Sequence, residues 1–313
     1  MRVAVTGATG FTGRRVVAEL RAQGHEVTAL VRPPAARAPG GARVVEGDLA
    51  DGDALSRLLV GQEALVSVAS LGFGHAEGVT RAVATAGIGR AVFFSSTARF
   101  TRLPATSRAV RVDAEKRVQA LSCAWTILRP TMIYGDQGDR NLSRLVRFVA
   151  RSPVVPLPGG GHALVQPAHV EDLGRAAVLA LTAPAAARRA YDLPGREAAP
   201  LRDLVLHVAA LLGRRVVLVP LPLRPAAALV GLWNRLGLPP RVSAEQVLRL
   251  GEDKVFAFDC AARDFGYAPR GLPGRPRRRG PASAGDGLHP LTPGGRRGFS
   301  RSRRGPRPAP TAP

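Results

Sequence analysis

The sequence predicts an α/β fold in which helices cover both faces of a parallel sheet, the doubly wound arrangement. Three observations support this prediction. A glycine-rich turn joins the first strand to the first helix, strands and helices alternate through residues 1–135, and the fourth predicted strand, 64–70, is almost entirely apolar. A strand without polar alternation is expected where both faces of a sheet are covered, and the alternation of elements is typical of parallel sheets.

The first turn reads TGATGFTG at residues 6–13, between the apolar run 3–5 and a helix. Gly7 permits a tight turn, Gly10 lets the backbone approach a pyrophosphate, and Gly13 lets the helix pack on the strand. Amides at the helix N-terminus then face the phosphates. The turn therefore predicts a Rossmann dinucleotide site. The residues expected at the cofactor are Gly7, Thr9, Gly10, Phe11, Thr12 and Gly13.

The second predicted strand, 25–32, ends in a basic residue, Arg32. An NAD site usually has an acidic residue at this place, where it holds the ribose 2′-hydroxyl. Arg32 suits a 2′-phosphate instead, so we expect NADP, with NAD as the alternative cofactor. The competing interpretation is that Arg32 is one solvated arginine among many.

The third and fourth predicted strands also end at the expected cofactor site. The third strand, 43–49, ends with Asp48 and Leu49, and the Asp48 carboxylate is placed to accept a hydrogen bond from the adenine amino group. The alternative is that Asp48 is only a turn residue. The fourth strand ends in small residues, among them Ala69, which leave room for the cofactor. Asp51 is expected to cap the helix between these two strands.

Six segments together resemble the extended and atypical short-chain dehydrogenase/reductase superfamily. They are TGATGFTG at 6–13, GDL at 47–49, FFSST at 93–97, AEKRV at 114–118, TILRPTMIYG at 126–135 and QPAHVEDL at 166–173. The chain is similar to bacterial NAD-dependent epimerase/dehydratase-like proteins, to the nucleotide-binding accessory subunit of respiratory complex I, and to NmrA-like proteins. The resemblance covers residues 1–270. It implies a Rossmann core at 1–135 and a smaller C-terminal substrate lobe at 136–270, partly interleaved with the core.

The resemblance also implies roles for residues at the ends of the fifth and sixth strands. Ser95, Ser96 and Thr97 occupy the position of the catalytic Ser/Thr, with Ser96 the closest match. Ser95 would also contact the cofactor, and Pro130 would lie beside the nicotinamide.

The chain departs from the superfamily at its proton donor. Members use a Tyr phenol whose pKa is lowered by a Lys four residues later. Here Tyr134, Tyr191 and Tyr267 are each followed by Gly at that spacing. Counting back from the AEKRV match places Ser107 and Arg111 where Tyr and Lys would stand. Arg111 can bind ribose hydroxyls, but it cannot lower the pKa of a serine hydroxyl enough to replace a phenol.

Two functions remain open at this point. One is an oxidoreductase or epimerase/dehydratase-like enzyme that manages the proton through Ser96, Thr97 or a substrate-bound water. The other is a non-catalytic NADP(H)-binding protein with a regulatory or structural role. The small-molecule substrate and the oligomeric state are not determined by the sequence.

Composition excludes several other classes of protein. The chain has 313 residues and is 45% hydrophobic, which is sufficient for a large core. Cys123 and Cys260 lack CxxC spacing and a neighbouring histidine cluster, so we expect neither a disulfide framework nor a metal site. No apolar stretch is long enough to cross a bilayer and no signal peptide is evident. We therefore expect a cytoplasmic protein without a transmembrane segment.

The net charge of +22 is carried almost entirely by arginine, and the C-terminal tail contributes disproportionately. Residues 271–313 contain ten arginines and one aspartate among many glycines and prolines. Without apolar periodicity this segment cannot bury enough surface to offset chain entropy, so we expect it to be disordered. Arginines offer phosphate contacts, so nucleic-acid binding through the tail is a third candidate function, but no nucleic-acid-reading module accompanies them. We expect no specific nucleic-acid partner.

The abrupt change at residue 271 leads to a hypothesis about the gene. Superfamily members usually continue here with an amphipathic helix. Residues 270–283, back-translated with GC-rich codons, can be read one nucleotide later as AAFREGLAAEVRR, which has that character. We hypothesise that the tail arises from a frameshift in the gene or its reading. Resequencing the locus tests this, because stop codons in the other frame would contradict it.

Overall fold

The structure is a computed structural model that describes residues 1–34, 39–103, 105–136, 138–139, 142–237 and 243–273. All of these residues belong to one compact unit. The predicted disorder of the tail beyond residue 273 and the frameshift hypothesis both lie outside the described residues.

The first half of the chain alternates strands and helices as the sequence predicts. Its elements are β1 (Arg2–Thr6), α1 (Phe11–Ala22), β2 (Glu26–Val31), β3 (Arg43–Glu46), α2 (Gly52–Leu59), β4 (Ala64–Ser67), α3 (Ala76–Thr85), β5 (Arg90–Phe94), α4 (Thr106–Gln119) and β6 (Ala124–Pro130). Asp51 caps α2 as predicted, since its side chain accepts hydrogen bonds from the amides of Asp53 and Ala54.

The second half contains shorter strands between helices. Its elements are β7 (Ile133–Tyr134), α5 (Leu142–Arg151), β8 (Val154–Pro158), β9 (Leu164–Val165), β10 (Ala168–His169), α6 (Val170–Thr182), β11 (Arg189–Leu193), β12 (Ala199–Pro200), α7 (Leu201–Leu211), β13 (Val217–Leu221), α8 (Leu223–Arg235), α9 (Ala244–Leu248) and α10 (Asp259–Phe265).

Seven strands form the central sheet in the order β11-β6-β5-β4-β1-β2-β3. Every neighbouring pair in this sheet is parallel. The direction of winding reverses between β1 and β4, and in open sheets of this kind ligands bind outside the carboxyl ends of the strands at that reversal. The doubly wound α/β fold predicted from the sequence is confirmed.

Apolar side chains cover both faces of the sheet. On one face α1 and α6 contribute Val17 and Leu173, both fully buried. On the other face α2, α3 and α4 contribute Leu58, Val83 and Val118. Strand β4 is buried along its whole length, as its apolar sequence predicts.

The chain returns to the core after its first visit to the smaller lobe. Helix α6 packs against α1 so closely that a Cβ added to Gly174 would lie 3.1 Å from Cβ of Arg15. Strand β11 then pairs with β6 at the edge of the sheet. Residues 170–193 therefore lie in the core, while β8, β13, α5 and α7 build the smaller lobe around Val149, Val205 and their neighbours.

The packed chain extends slightly beyond the predicted boundary at residue 270. Leu272 is only 8% exposed and packs with Tyr134, Val165 and Leu204. The carbonyl oxygen of Pro273 lies 2.7 Å from Nε2 of His207. The expected start of the tail at residue 271 is corrected by these contacts, because a leucine three residues past Phe-Gly-Tyr-Ala-Pro completes an apolar cluster that the local sequence does not reveal.

Among the residues that the structure describes, none of the helices combines the length and the apolar character needed to span a membrane. The same residues bring together no group of three histidine, cysteine or acidic side chains that could hold a metal ion.

Candidate cofactor site and active site

The glycine turn between β1 and α1 is held by its own backbone. The amide of Gly10 donates to the carbonyl oxygen of Gly7 at 3.0 Å. Gly7 has φ +70, and a Cβ there would lie 2.6 Å from the amide nitrogen of Ala69. A Cβ on Gly13 would lie 2.0 Å from the carbonyl oxygen of Gly7. Only glycine fits at the first and third positions, and the turn brings the end of β4 against the start of α1.

The N-terminus of α1 has unused hydrogen-bond donors. Within the described residues no side chain caps this helix, and its first turn contains no acid. Such a terminus presents free amides and the positive end of the helix dipole. Thr9 and Gly10 are exposed and Phe11 is half-buried, whereas Thr12 and Gly13 are buried. The arrangement fits a pyrophosphate above the turn.

Arg32 follows β2 at the edge where the adenosine ribose of a dinucleotide is expected. Its side chain is 82% exposed, and its Nε lies 4.0 Å from Oδ2 of Asp48. Asp48 accepts a hydrogen bond from the amide of Ala50 at 3.0 Å, and Leu49 is half-buried beside it. A pair at this distance and exposure is weak, so the guanidinium is accessible to a phosphate.

Ser96 and Thr97 lie where β5 ends, beside the end of β6. Oγ of Ser96 accepts a hydrogen bond from the amide of Ala98 at 3.2 Å, which leaves the hydroxyl hydrogen without an acceptor among the described residues. Oγ1 of Thr97 donates to the carbonyl oxygen of Pro130 at 3.3 Å. Ser96 is half-buried and Thr97 and Pro130 are buried. The Ser96 hydroxyl is therefore a free donor at the carboxyl end of the sheet.

Ser95 is turned toward the interior rather than toward this edge. Its hydroxyl donates to Oε1 of Glu115 at 2.6 Å, and its amide donates to the carbonyl oxygen of Leu128 at 2.8 Å. The side chain of Glu115 is 1% exposed. The cofactor contact expected of Ser95 is thus not available to its hydroxyl, because that hydroxyl helps to solvate a buried carboxylate.

Glu115 is the centre of a buried ionic cluster that the sequence analysis did not identify. Nη2 of Arg129 donates to it at 2.7 Å, and Arg99 also contacts its carboxylate. Nη1 of Arg129 lies 3.5 Å from Asp192 on β11. Burial raises the pKa of Asp192 and lowers those of Arg99 and Arg129, with charges in the cluster adding smaller effects.

Two features of the sequence point to this cluster. Arg129 is the only charged residue of strand β6, and Glu115 occupies a position on the buried side of α4 beside Ala114 and Val118. A charged residue on a core face needs a partner, so these two residues were candidates for an ion pair. The cluster fixes α4, β5, β6 and β11 relative to one another directly beneath Ser96.

A cavity of about 930 Å³ opens beside the end of β5, and it is lined by all three residues predicted to take part in catalysis. These are Ser96, Thr97 and Arg111. The opposite wall comes from the segment 246–256, which follows α8 in the chain and includes Arg249, Lys254 and Phe256. Sequence reasoning gave this segment no role, because it carries no recognised motif.

Ser107 and Arg111, which stand at the usual Tyr and Lys positions, are both half-buried on α4. Nη1 of Arg111 donates to the carbonyl oxygen of Ser107 at 2.7 Å. A Cβ on Gly72 would lie 2.9 Å from Cζ of Arg111, so the guanidinium packs on the backbone that follows β4. The hydroxyl of Ser107 donates to Glu245 at 3.3 Å. Arg111 therefore lines the cavity and packs against the segment that follows β4.

None of the three tyrosines lines this cavity. The hydroxyl of Tyr134 donates to the carbonyl oxygen of Gly271 at 3.4 Å, that of Tyr191 to Asp264 at 2.8 Å, and that of Tyr267 to the carbonyl oxygen of Pro194 at 2.7 Å. Burial raises the pKa of all three phenols, that of Tyr134 to about 12. Each phenol is a structural donor away from the site.

Comparisons with known proteins agree with the geometry of the turn. A family profile described as NAD(P)H-binding matches residues 7–147. The ceramide reductase of Caulobacter vibrioides is 31% identical over 77% of this chain and 80% of its own length. The 2-alkyl-3-oxoalkanoate reductase of Stenotrophomonas maltophilia is 29% identical over 86% of this chain and 95% of its own. The chain belongs to the short-chain dehydrogenase/reductase superfamily, in its atypical NAD(P)-binding branch.

Solved structures share the fold. The NADPH-dependent quinone oxidoreductase QOR2 of Escherichia coli, in complex with NADPH, matches with a TM-score of 0.71 and 23% identity over 85% of this chain and 95% of its own. MoeE5 in complex with UDP-glucuronic acid and NAD matches with a TM-score of 0.67 and 22% identity over 87% and 95% of the two chains. This chain is an NAD(P)-binding protein of the same architecture.

Proposed function

We propose that the protein is an NADP(H)-dependent reductase of a small carbonyl compound, in which a serine hydroxyl replaces the usual phenol at the reacting oxygen. The observation that carries the proposal is the position of the cavity. It lies at the carboxyl ends of β5 and β6 and contains the free hydroxyl of Ser96. The reductase activities named for the two relatives above support the same reaction class.

Different parts of the chain would bind the cofactor and stabilise the reacting oxygen of the substrate. The turn at Gly7, Gly10 and Thr12 would hold the pyrophosphate, and Arg32 the 2′-phosphate. Arg111 would bind the hydroxyls of the nicotinamide ribose. When bound, NADPH supplies a hydride to the carbonyl carbon of the substrate. The Ser96 hydroxyl would donate a hydrogen bond to the carbonyl oxygen as negative charge develops there, and a substrate-bound water would deliver the proton.

Replacing Arg32 with alanine should weaken NADPH binding selectively. A charge-assisted hydrogen bond to phosphate is worth about 1.5–3 kcal/mol, so we expect a loss of roughly tenfold to a hundredfold in NADPH affinity. NADH affinity should change little, because NADH lacks the 2′-phosphate. Calorimetric titration of both cofactors measures the difference.

Arg43→Ala is the matched control for Arg32→Ala. Arg43 is also exposed, but it lies at the start of β3, away from the carboxyl ends of the strands. The Arg43→Ala substitution removes the same charge and should leave the affinities for NADPH and NADH unchanged. Equal affinities for NADPH and NADH, unaffected by Arg32→Ala, would exclude the proposed 2′-phosphate site.

Replacing Ser96 with alanine should slow reduction without changing NADPH affinity. Removing one donor to a developing oxyanion costs about a hundredfold to a thousandfold in kcat. We expect the wild-type rate to be low as well, since a positioned acid contributes about a hundredfold to ten-thousandfold and no phenol is available. The measurement is NADPH oxidation across aldehydes, quinones, oxo acids and sugar nucleotides.

Ser56→Ala controls for loss of a hydroxyl, because Ser56 is exposed on α2 and bonds only to the carbonyl oxygen of Gly52 among the described residues. Ordinary turnover that is insensitive to Ser96→Ala would mean that a group other than Ser96 stabilises the negative charge on the reacting oxygen.

The second candidate is a non-catalytic NADP(H)-binding protein with a regulatory or structural role. The burial of all three phenols away from the cavity favours it. The two candidates differ in one result. A reductase oxidises bound NADPH when substrate is added, whereas a sensor binds NADPH with high affinity and leaves it reduced with every compound in the panel.

A further inference from the structure

The cavity beside Ser96 carries an excess of positive charge. Five basic side chains line it, against the two carboxylates of Glu252 and Asp253. Both carboxylates already accept hydrogen bonds from other parts of the protein. Glu252 accepts from the hydroxyl of Thr101 at 2.7 Å, and Asp253 accepts from the amide of Leu164 at 2.7 Å. The basic groups are therefore poorly compensated by the wall itself.

Arg111, Arg249 and Lys254 are the basic residues that lie partly buried in this wall. Arg249 forms an ion pair with Glu245, whose Oε1 lies 3.8 Å from its Nη1. Among the described residues neither Arg111 nor Lys254 forms an ion pair. Lys254 instead donates to the carbonyl oxygen of Arg249 at 2.6 Å, which leaves two of its three ammonium hydrogens unused.

The two guanidinium groups also have unused donors. Nε of Arg111 and Nε of Arg249 are both buried and have no hydrogen-bond partner among the described residues. Burial lowers the pKa of Arg111 and of Lys254, and the charge of Arg249 lowers both further. Three neighbouring cations in a partly buried wall favour the binding of an anion. Hydrogen bonds from these groups to an ionised acceptor are stronger there than in water.

Apolar side chains make up much of the remaining wall. Leu103, Met132, Leu223, Leu248 and Phe256 line the same cavity. Its volume of about 930 Å³ is in the range of sites for small molecules, which combine apolar walls with a few placed polar groups. A fully polar anion would leave these side chains in contact with water, whereas a molecule with an apolar body would cover them.

We propose that the cavity binds a substrate with an apolar body and one anionic end, a carboxylate or a phosphate, and that Arg249 holds this end together with Lys254, while the charge of Arg111 nearby favours the anion. The inference rests on the proposed function in one respect, since it names the class of compound that the reductase would accept. The binding of the anion does not depend on turnover and can be measured separately.

The test is a calorimetric titration of the full chain saturated with NADPH, so that the glycine turn is blocked by the cofactor. The three probes share one alkyl chain and differ in the head group: octanoate, octyl phosphate and octanamide. We expect at least one anion to bind about tenfold or more tightly than octanamide, the minimum for one charge-assisted hydrogen bond. The tighter of the two anions identifies the head group as carboxylate or phosphate.

Two variants of Arg249 and one control show whether Arg249 is responsible for the preference for an anion. Arg249→Gln should lower affinity for the anion by about tenfold to a hundredfold and leave octanamide binding unchanged. Arg249→Lys keeps the charge and should restore part of the affinity. Arg81→Gln removes an equal charge from the exposed face of α3, where Arg81 pairs with Glu77, and should have no effect.

Octanamide binding as tight as both anions would overturn the inference, and so would equal losses in Arg249→Gln and Arg81→Gln. The wild-type comparison of charged and neutral probes holds even if Arg249→Gln fails to fold. A failure of NADPH to bind in the preceding titration would count against the proposed function instead, so the two failures are distinguishable.

Discussion

Replacing Glu115 with glutamine is expected to lower the free energy of unfolding by about 3–5 kcal/mol, the cost of removing one partner from a buried ion pair. The carboxylate is 1% exposed and accepts hydrogen bonds from Ser95 and Arg129. Glutamine keeps the shape but removes the charge and presents amide hydrogens toward guanidinium groups. Arg99 and Arg129 would then share only Asp192 as an acidic partner in the cluster.

Asp113→Asn is the matched control, since Asp113 lies two residues earlier on α4 and forms an exposed pair with Arg117 at 2.8 Å. Its replacement should change the free energy of unfolding by about 0.5 kcal/mol or less. Urea denaturation of both variants gives the comparison. Equal stability of Glu115→Gln and Asp113→Asn would show that the cluster does not hold α4 against the sheet.

Replacing Gly13 with alanine should abolish cofactor binding and destabilise the fold. The new Cβ would lie 2.0 Å from the carbonyl oxygen of Gly7, so the turn or the start of α1 must move. Overpacking of this kind costs about 1–3 kcal/mol. Misplacing two of the amides that face the pyrophosphate would cost about 3–6 kcal/mol of binding, which is more than about a hundredfold in NADPH affinity.

Gly231→Ala is the control for Gly13→Ala, because Gly231 also lies within a helix, α8, and a Cβ there would meet nothing within 4 Å. It should stabilise the protein by about 0.5–1 kcal/mol through the lower flexibility of the unfolded chain. Both substitutions replace a helical glycine with alanine, but we expect them to change the stability of the protein in opposite directions. Unchanged NADPH affinity in Gly13→Ala would mean that the dinucleotide does not bind over this turn.

Local patterns were sufficient to predict the core. The glycine spacing at residues 6–13, the apolar run of β4 and the capping aspartate Asp51 each depend on interactions between residues close in sequence. The order of the strands then follows from the small set of connections that parallel sheets allow. These features needed no knowledge of distant contacts.

The wall opposite Ser96 could not be predicted in this way. Arg249 and Lys254 reach the cavity because the chain folds back after α8, and their sequence has no periodicity or motif that records this. Trp233 shows the same limit, since this large apolar side chain on α8 is 44% exposed. Whether an apolar face is covered depends on elements far away in the chain.

The ionic cluster around Glu115 could be predicted from the sequence only in part. Glu115 and Arg129 were each visible as charges in apolar surroundings, and burial required each to have a partner. Which partner each one takes is set by the register of β6 against β5 and by the return of β11 to the sheet, neither of which the local sequence specifies. The consequence for Ser95, whose hydroxyl is taken by Glu115, could be seen only in three dimensions.

A crystal structure of the protein with NADP tests the central claim most directly. The account predicts the pyrophosphate over Gly7 and Gly10, the 2′-phosphate at Arg32, and C4 of the nicotinamide facing the cavity with the Ser96 hydroxyl as the nearest side-chain hydroxyl. A tyrosine phenol beside the space in front of nicotinamide C4, or a dinucleotide lying away from the glycine turn, would contradict this account.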